Sequence, residues 1–167
     1  MNKAVFSGAL VAFVCFGCTS QPEPEFYSEG TLVEVESITD VEVGVAAVTV
    51  AREENTKYQF AVTVNSPDEG CDRYANWWEV ITEDGKLLYR RILAHSHVEE
   101  QPFTRSGGPV DVEPDEVVIV RSHMHPTGYH TQAMKGSFSA GFEPTTLPTD
   151  FADELAEVEP LPTGCAF

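Results

Sequence analysis

The sequence predicts an all-β domain, an antiparallel sandwich of about seven short strands with immunoglobulin-like or fibronectin-like architecture. Three observations predict it. Tyr58, Phe60, Val62 and Val64 alternate with more polar residues, which is typical of a half-buried strand. An Asp-Gly pair separates two apolar runs at residues 84–85, and turn residues separate the other apolar runs, with no convincing helix between them. The cysteines lack immunoglobulin spacing, so the likeness concerns architecture alone.

Residues 1–18 are typical of a signal peptide. Lys3 precedes an apolar run at residues 4–16, which is too short for a spanning helix of about 20 residues. The run ends in Gly17-Cys18, and this end resembles the bacterial lipoprotein processing site, although Cys15 and Phe16 stand where an aliphatic and a small residue are usual. The resemblance implies cleavage before Cys18 and a diacylglycerol on its sulfur. The alternative is a plain secreted protein.

The residues after Cys18 bear on location. Several acyl chains, palmitate among them, would anchor the protein stably, because a single chain binds a membrane only marginally. Thr19 resembles the outer-membrane retention pattern of Gram-negative lipoproteins, which implies a cell-envelope protein facing the periplasm if the source is Gram-negative. Residues 19–29 are proline-rich and acidic and should form a flexible spacer.

The composition limits the function classes. The chain has 167 residues and a formal net charge of −17, and Lys3 is the one charged residue that processing would remove. This charge argues against nucleic acid and against anionic lipid surfaces as partners, and it fits an exported soluble domain. The sequence contains no EF-hand calcium loop, phosphate loop or dinucleotide glycine fingerprint, so no cofactor is predicted from these motifs.

The predicted domain covers residues 30–142, and an irregular acidic tail covers residues 143–167. In chain order, strands are predicted at 31–37, 41–50 and 58–64, followed by a turn at 65–70. A hairpin of strands 77–83 and 87–97 follows, with a type I′ turn at Asp84-Gly85. A long connection at 98–116 contains a short edge strand at 110–112, and the last strands are at 117–124 and 132–139. A single helical segment is possible within residues 150–157.

The stretch from 71 to 103 is the centre of this prediction. It contains both tryptophans, and because neighbouring residues of a strand face opposite sides, we expect either Trp77 or Trp78 in the core and the other partly exposed. It also contains Cys71. Cys15 would leave with the signal peptide and Cys18 would carry lipid, so Cys71 and Cys165 remain and are predicted to form a disulfide that staples the tail to the domain. Free thiols or an intermolecular bridge are the alternatives.

The five histidines suggest a metal site. His95 and His97 are two residues apart, as are His123 and His125, and residues two apart on a strand share a face. Such a pair can offer two imidazoles to zinc or copper. If the two strands pair antiparallel, however, the two His-x-His pairs lie at opposite ends, and a four-histidine site would need a parallel arrangement. Surface or hydrogen-bonded histidines are the simpler interpretation.

The search for catalytic motifs is negative. No Gly-x-Ser-x-Gly elbow occurs, and both remaining cysteines are accounted for by the predicted disulfide. The Arg105-Ser106-Gly107-Gly108 run could present backbone amides to an anion, but it is more typical of a flexible turn. We therefore predict a protein that is not an enzyme.

A resemblance covers about half of the chain, from Gly70 to Phe142. The strings GCDRYANWWEV, LLYRRILAHSHVEEQPFTRSGG and SHMHPTGYHTQAMKGSF resemble a group of small uncharacterised bacterial secreted proteins and lipoproteins. The resemblance implies export and no particular activity. The sequence thus predicts a lipid-anchored envelope protein with a binding or structural role, for which an envelope protein is a candidate partner. The alternative is a periplasmic zinc- or copper-binding protein.

Overall fold

Most of the predicted apolar runs become strands. A computed structural model describes residues 42–54 and 56–166, so the signal peptide, Cys18, the spacer and the strand predicted at 31–37 lie outside the described residues. The described part contains β1 (Gly44–Glu54), β2 (Lys57–Asn65), β3 (Tyr74–Thr82), β4 (Leu87–Ile92), β5 (Phe103–Asp111), β6 (Val118–His125), β7 (Gly128–Tyr129), β8 (Gln132–Ser137), β9 (Gly141–Thr146) and a short 3₁₀-helix, Asp153–Glu157. No helix in the described part is long and apolar enough to cross a membrane.

The strands form one mixed sheet in the order β4-β3-β6-β8-β1-β2-β5, with β7 added to β6 and β9 added to β8. Every pair is antiparallel except β1 and β8, which meet in parallel at Gly44 and Gln132. The two end strands approach each other, since a Cβ atom on Gly107 of β5 would lie 2.7 Å from the hydroxyl of Tyr89 in β4. The all-β prediction is confirmed. An antiparallel immunoglobulin-like sandwich is not, because the parallel pair joins all the strands into a single, nearly closed sheet.

The concave side of this sheet holds the main core. On β2, Tyr58, Phe60, Val62 and Val64 are all buried, as their alternation predicts. They pack with Trp78 and Val80 of β3 and with further residues from β5 and β6. Burial of these apolar side chains, at about 25 cal/mol per Å² of apolar surface, is the main stabilising contribution.

The convex side of β3 and β6 is also buried, because the C-terminal segment (residues 147–166) folds over it. Ile81 and Ile119 pack there against Leu155, with Phe151 and Leu147 alongside. The prediction of an irregular tail from residue 143 therefore needs correction. Residues 143–146 belong to β9, and the following residues pack on the sheet, because an otherwise exposed apolar face remains for them to cover.

The hairpin predicted at Asp84-Gly85 is present between β3 and β4, but its turn differs. Gly85 has φ +84°, whereas no described non-glycine residue other than Ala152 has a positive φ, so Asp84 cannot be in a type I′ turn. The loop has three residues, with the amide of Gly85 bonded to the Thr82 carbonyl and the amide of Thr82 bonded to the Lys86 carbonyl. This is the three-residue hairpin that places glycine in the left-handed position.

The connection predicted between residues 98 and 116 contains a full strand. β5 includes the Arg105-Ser106-Gly107-Gly108 run, which the sequence suggests is a turn and a possible anion-binding loop. It pairs with β2, with a register shift opposite the Tyr58–Phe60 step. The glycines fit there because β5 passes close to the rings of Trp78 and Tyr89. The strand predicted at 87–97, in contrast, ends at Ile92.

Candidate functional site

A β-bulge shapes the candidate site at one end of β3. Ala75 pairs with Met124 and Trp77 pairs with His123, so Asn76 is the extra residue between them. A bulge leaves one residue unpaired and re-aims side chains beside it. Here it brings Asn76 and Trp77 together against His123 on the convex side of the sheet.

His123 is held by both residues of the bulge. Its ring stacks on Trp77 with centroids 3.8 Å apart, and its Nδ1 atom lies 2.7 Å from Oδ1 of Asn76. Burial lowers the pKa of His123 to about 3, and the nearby Arg90 is the next largest cause. The ring is therefore neutral at physiological pH. Because the amide oxygen can only accept, Nδ1 carries the proton and Nε2 is the free acceptor.

His130, which is partly buried, is the second histidine near this end of β6 with a lowered pKa. Its Nδ1 atom lies 2.9 Å from the hydroxyl of Ser122, and burial lowers its pKa to about 4. A serine beside a histidine is an arrangement used for nucleophilic catalysis. Ser122, however, is fully buried, so a substrate has no access to its hydroxyl.

A buried ion cluster lies next to Trp77. Glu79 is directly opposite Arg90 on one neighbouring strand and Arg121 on the other. Its two carboxylate oxygens accept hydrogen bonds of 2.8 Å from Nε of Arg90 and from Nε of Arg121. All three side chains are almost completely buried, and one carboxylate faces two guanidinium groups.

The remaining guanidinium donors of this cluster bind the C-terminal segment. Arg121 donates to the carbonyls of Phe151 and Ala152, and Arg90 donates to the carbonyls of Leu155, Val158 and Pro160. The main-chain carbonyl oxygens and the Glu79 carboxylate together accept hydrogen bonds from both arginines. The cluster therefore fixes residues 151–160 on the sheet and explains why these arginines are tolerated without solvent.

The end of the C-terminal segment is attached separately. The predicted disulfide between Cys71 and Cys165 is present, with Cα atoms 5.6 Å apart, and the amide of Ala166 bonds to the carbonyl of Ala94 at 2.6 Å. Between this attachment and the bulge lies a cavity of about 430 Å³. Its wall is formed by Tyr74, Asn76, Trp77, His123, His125 and, from the C-terminal segment, by residues between Ala156 and Cys165.

His95 and His97 lie in the loop after β4, not on a strand as predicted, because β4 ends at Ile92. Asp68 organises this loop, and its carboxylate accepts from the amide of His97 at 2.8 Å. The ring of His97 stacks on Phe103 at 3.7 Å, and burial lowers the pKa of His97. Both of its ring nitrogens are buried without a hydrogen bond to any described residue, and Nδ1 lies 3.9 Å from the Asp68 carboxylate.

The two His-x-His pairs are at the same end of the sheet, contrary to the expectation of opposite ends. β4 and β6 do not pair with each other but flank β3, and each is antiparallel to it, so they run in the same direction. The pairs still remain separate, since His97 packs on β5 and His123 on β3. Across residues 42–54 and 56–166, no three histidine, cysteine, aspartate or glutamate side chains are grouped so as to hold a metal ion.

Sequence reasoning alone does not identify several residues of this region. Glu79 and Arg90 each stand inside an apolar run, and a charged residue in such a run is a usable signal of a buried ion pair. The expectation that one tryptophan is partly exposed is wrong, because Trp77 and Trp78 are 3% and 0% exposed. The C-terminal segment covers the face that would otherwise expose Trp77. Asn76 carries no sequence signal, since a bulge is not visible in the alternation.

Comparison with known proteins gives one informative similarity. The chain is 41% identical over 93 residues to a protein from Halomicrobium mukohataei named "Putative lipoprotein", which corresponds to 56% of this chain and 46% of that protein. The chain thus spans less than half the length of this relative. No protein-family model matches the chain, and no solved structure matches it. The similarity agrees with the resemblance to lipoproteins of unknown activity.

Proposed function

We propose that this protein is a lipid-anchored cell-envelope protein whose β domain has a binding or structural role and no enzymatic one. The observation that carries the proposal is the end of the N-terminal apolar run at Gly17-Cys18, in a chain that is similar to a protein named as a lipoprotein. Cys18 is the lipidation site in this proposal, and the membrane is the first partner. The acidic spacer at residues 19–29 separates the domain from the lipid surface.

The location follows from the same residues. With Thr19 after the lipidated cysteine, the protein is retained in the outer membrane and faces the periplasm if the source is Gram-negative. The disulfide between Cys71 and Cys165 supports export, because disulfides persist in oxidising compartments. The alternative is a secreted protein that leaves the membrane after cleavage.

The non-enzymatic role is supported by the surroundings of the candidate nucleophiles. Cys71 and Cys165 are bonded to each other, and Ser122 has no access to solvent. The pKa of its partner His130 is lowered to about 4, which makes that imidazole a weak base at neutral pH. The cavity beside His123 is the part of the domain that favours a binding role over a purely structural one.

Metabolic labelling tests the anchor. The full-length gene is expressed in a bacterial host with an alkyne analogue of palmitate, alongside Cys18→Ala and, as a matched control, Cys15→Ala. We expect label and membrane sedimentation for the wild type and Cys15→Ala, and neither for Cys18→Ala. Unlabelled wild-type protein in the culture medium would establish the secreted alternative instead.

The second candidate is a zinc- or copper-binding protein that uses His95 and His97 with His123 and His125. One observation favours it, since both ring nitrogens of His97 lack a hydrogen-bond partner within the part of the chain that the structure describes. The absence of any three-ligand group among the described residues weighs against it. Calorimetry with Zn(II) and Cu(II) on the wild type and on a His95→Ala/His97→Ala variant tests it, with stoichiometric binding that the double variant loses as the supporting result.

A further inference from the structure

The cavity beside the bulge has the size and lining of a small-molecule site. Its volume of about 430 Å³ falls within the range of ligand pockets, roughly 300–1,000 Å³. One wall is the sheet, through Tyr74, Asn76 and His123, and the opposite wall is the C-terminal segment, through Leu161 and Pro162. The segment is fixed on both sides of this wall, by the arginine bonds before it and by the disulfide after it.

The sheet wall offers polar groups that make no hydrogen bond to another described residue. Nδ1 of His123 bonds to Oδ1 of Asn76, which leaves Nε2 of the imidazole as an acceptor and the amide nitrogen of Asn76 as a donor. Tyr74 adds a hydroxyl, and burial together with the Asp68 carboxylate raises the pKa of that phenol, so it remains protonated. Within the described residues, neither the Tyr74 hydroxyl nor the Asn76 amide nitrogen bonds to another protein atom.

The charges around the cavity disfavour ionised ligands. Among the described residues, no lysine or arginine lines it and Glu157 does, so an anion meets a carboxylate in a chain of net charge −17. A cation at the sheet wall meets the field of Arg90 and Arg121, which is the field that helps to keep His123 unprotonated. A neutral molecule is exposed to neither penalty.

We infer that this cavity binds a small uncharged molecule rich in hydroxyl or amide groups, which donates a hydrogen bond to Nε2 of His123 and accepts from Tyr74 and Asn76. The ring of Trp77 is covered by His123 on one side and lies 4.5 Å from the Arg90 guanidinium, so recognition depends on hydrogen bonds and not on stacking against this indole. The inference gives a ligand class to the binding role proposed above, and it does not depend on the lipid anchor.

Three sugars of similar size test the ligand class. Detergent-solubilised full-length protein is examined by saturation-transfer NMR with N-acetylglucosamine, which is neutral and carries hydroxyl and amide groups, with cationic glucosamine and with anionic glucuronate. We expect N-acetylglucosamine to bind with a dissociation constant on the order of 1 mM, as for small polar ligands. The two charged sugars should bind about tenfold more weakly or worse. Equal binding of all three, tighter binding of a charged sugar, or no binding of N-acetylglucosamine overturns the inference.

Two variants locate the binding. His123→Phe keeps an aromatic ring against Trp77 and removes the Nε2 acceptor, and Leu161→Trp fills the cavity from the opposite wall. Both should lose the N-acetylglucosamine signal, whereas His95→Phe, outside the cavity, should keep it. Circular dichroism shows which variants fold. If His123→Phe does not fold, the Leu161→Trp variant alone tests the inference. Retained binding in a folded Leu161→Trp variant would place the ligand elsewhere and contradict the inference.

The result of the sugar-binding test is independent of the result of the lipid-labelling test. Labelling of Cys18 can fail while the sugar binds the domain, which would leave a secreted binding protein. Labelling can also succeed while no sugar binds, which would leave a lipoprotein without this ligand site.

Discussion

At the scale of single residues, the side chain of Glu79 is held from both neighbouring strands. Its carboxylate is fully buried and lies between two guanidinium groups that also bond to main-chain carbonyls. Replacing a buried ion cluster by apolar residues is often harmless, but removing one member of it leaves an uncompensated charge. The carboxylate is the one negative group that the hydrogen bonds of both arginines share, so its loss affects the whole cluster.

We therefore predict that Glu79→Gln destabilises the protein by about 3–5 kcal/mol, the usual cost of breaking a buried ion pair. Glu83→Gln is the matched control, because Glu83 also pairs with a basic residue, Lys135, but both side chains are about half exposed. Its expected cost is below about 1 kcal/mol. Urea unfolding of the two variants measures the difference, and similar midpoints would show that the cluster contributes little.

A second residue-scale prediction concerns pH. Burial lowers the pKa of His123 to about 3 and that of His130 to about 4, whereas an unfolded histidine titrates near 6.5. As pH falls below about 6.5, the unfolded chain takes up protons that the folded protein does not, so stability falls until the folded pKa values are reached. Each histidine contributes at most about 1.4 kcal/mol per pH unit in this window.

The measurement is the free energy of unfolding in urea between pH 7 and pH 4, for the wild type and for His130→Asn. Removing His130 should flatten the decline with pH, whereas removing the exposed His125, as the control, should leave the slope unchanged. Identical slopes for all three proteins would mean that folding does not lower the pKa of His130.

The residue scale also separates what can be predicted from sequence. Pairing of Cys71 with Cys165 is predictable, because few cysteines remain after processing. The partners of the histidines are not. His97 depends on Asp68, and His123 depends on a bulge at Asn76, and neither contact follows from spacing along the chain.

At the scale of elements, strands are predicted well where one face is buried and poorly elsewhere. β2 alternates cleanly and is predicted almost to its ends. Only the end of β5 is predicted, as a short edge strand at 110–112, because Gly107 and Gly108 are turn residues by composition. Gly107 is nevertheless required by the close approach of Trp78, whose ring carbons lie 2.9 Å from where a Cβ would stand. The C-terminal segment is missed because its prolines and acidic residues suggest a tail, while Phe151 and Leu155 pack on the sheet and both arginines bind its carbonyls.

The two attachments of the C-terminal segment predict distinct effects on its dynamics. In a Cys71→Ser/Cys165→Ser variant, we expect faster hydrogen exchange at Ala166, which is next to the lost bond, and little change at Val158, where Arg90 still binds the carbonyl. The global stability should fall by about 4–5 kcal/mol on the chain-entropy estimate for a loop of this length.

Leu155→Ala provides the complementary change, since it removes the buried side chain of the 3₁₀-helix and leaves the disulfide intact. Exchange should then increase around Val158 more than at Ala166. Mass spectrometry of peptides from both variants measures this pattern. A uniform increase along residues 147–166 in either variant would show that the segment moves as one unit.

At the scale of the whole molecule, the sequence predicts the class of fold and not its closure. Period-two alternation identifies strands but says nothing of their order in a sheet. The pairing of β1 with β8 in parallel, and of β3 with β6, joins residues far apart in the chain. Those contacts decide that the strands form one mixed sheet, and they also bring β4 and β6 into the same direction on either side of β3.

The net charge of the whole molecule predicts how its stability depends on salt. The chain has 27 acidic and 10 basic residues, so carboxylates far outnumber basic side chains, and the folded state concentrates this charge. Salt shortens the range of repulsion, from a Debye length of about 30 Å at 0.01 M to about 10 Å at 0.1 M. We expect the urea midpoint to rise as NaCl increases over this range, and to rise equally in KCl, because screening depends on ionic strength alone. The exposed pairs, such as Arg105 with Glu100, would produce a fall if they dominated. A falling midpoint would therefore show that exposed ion pairs outweigh the net repulsion.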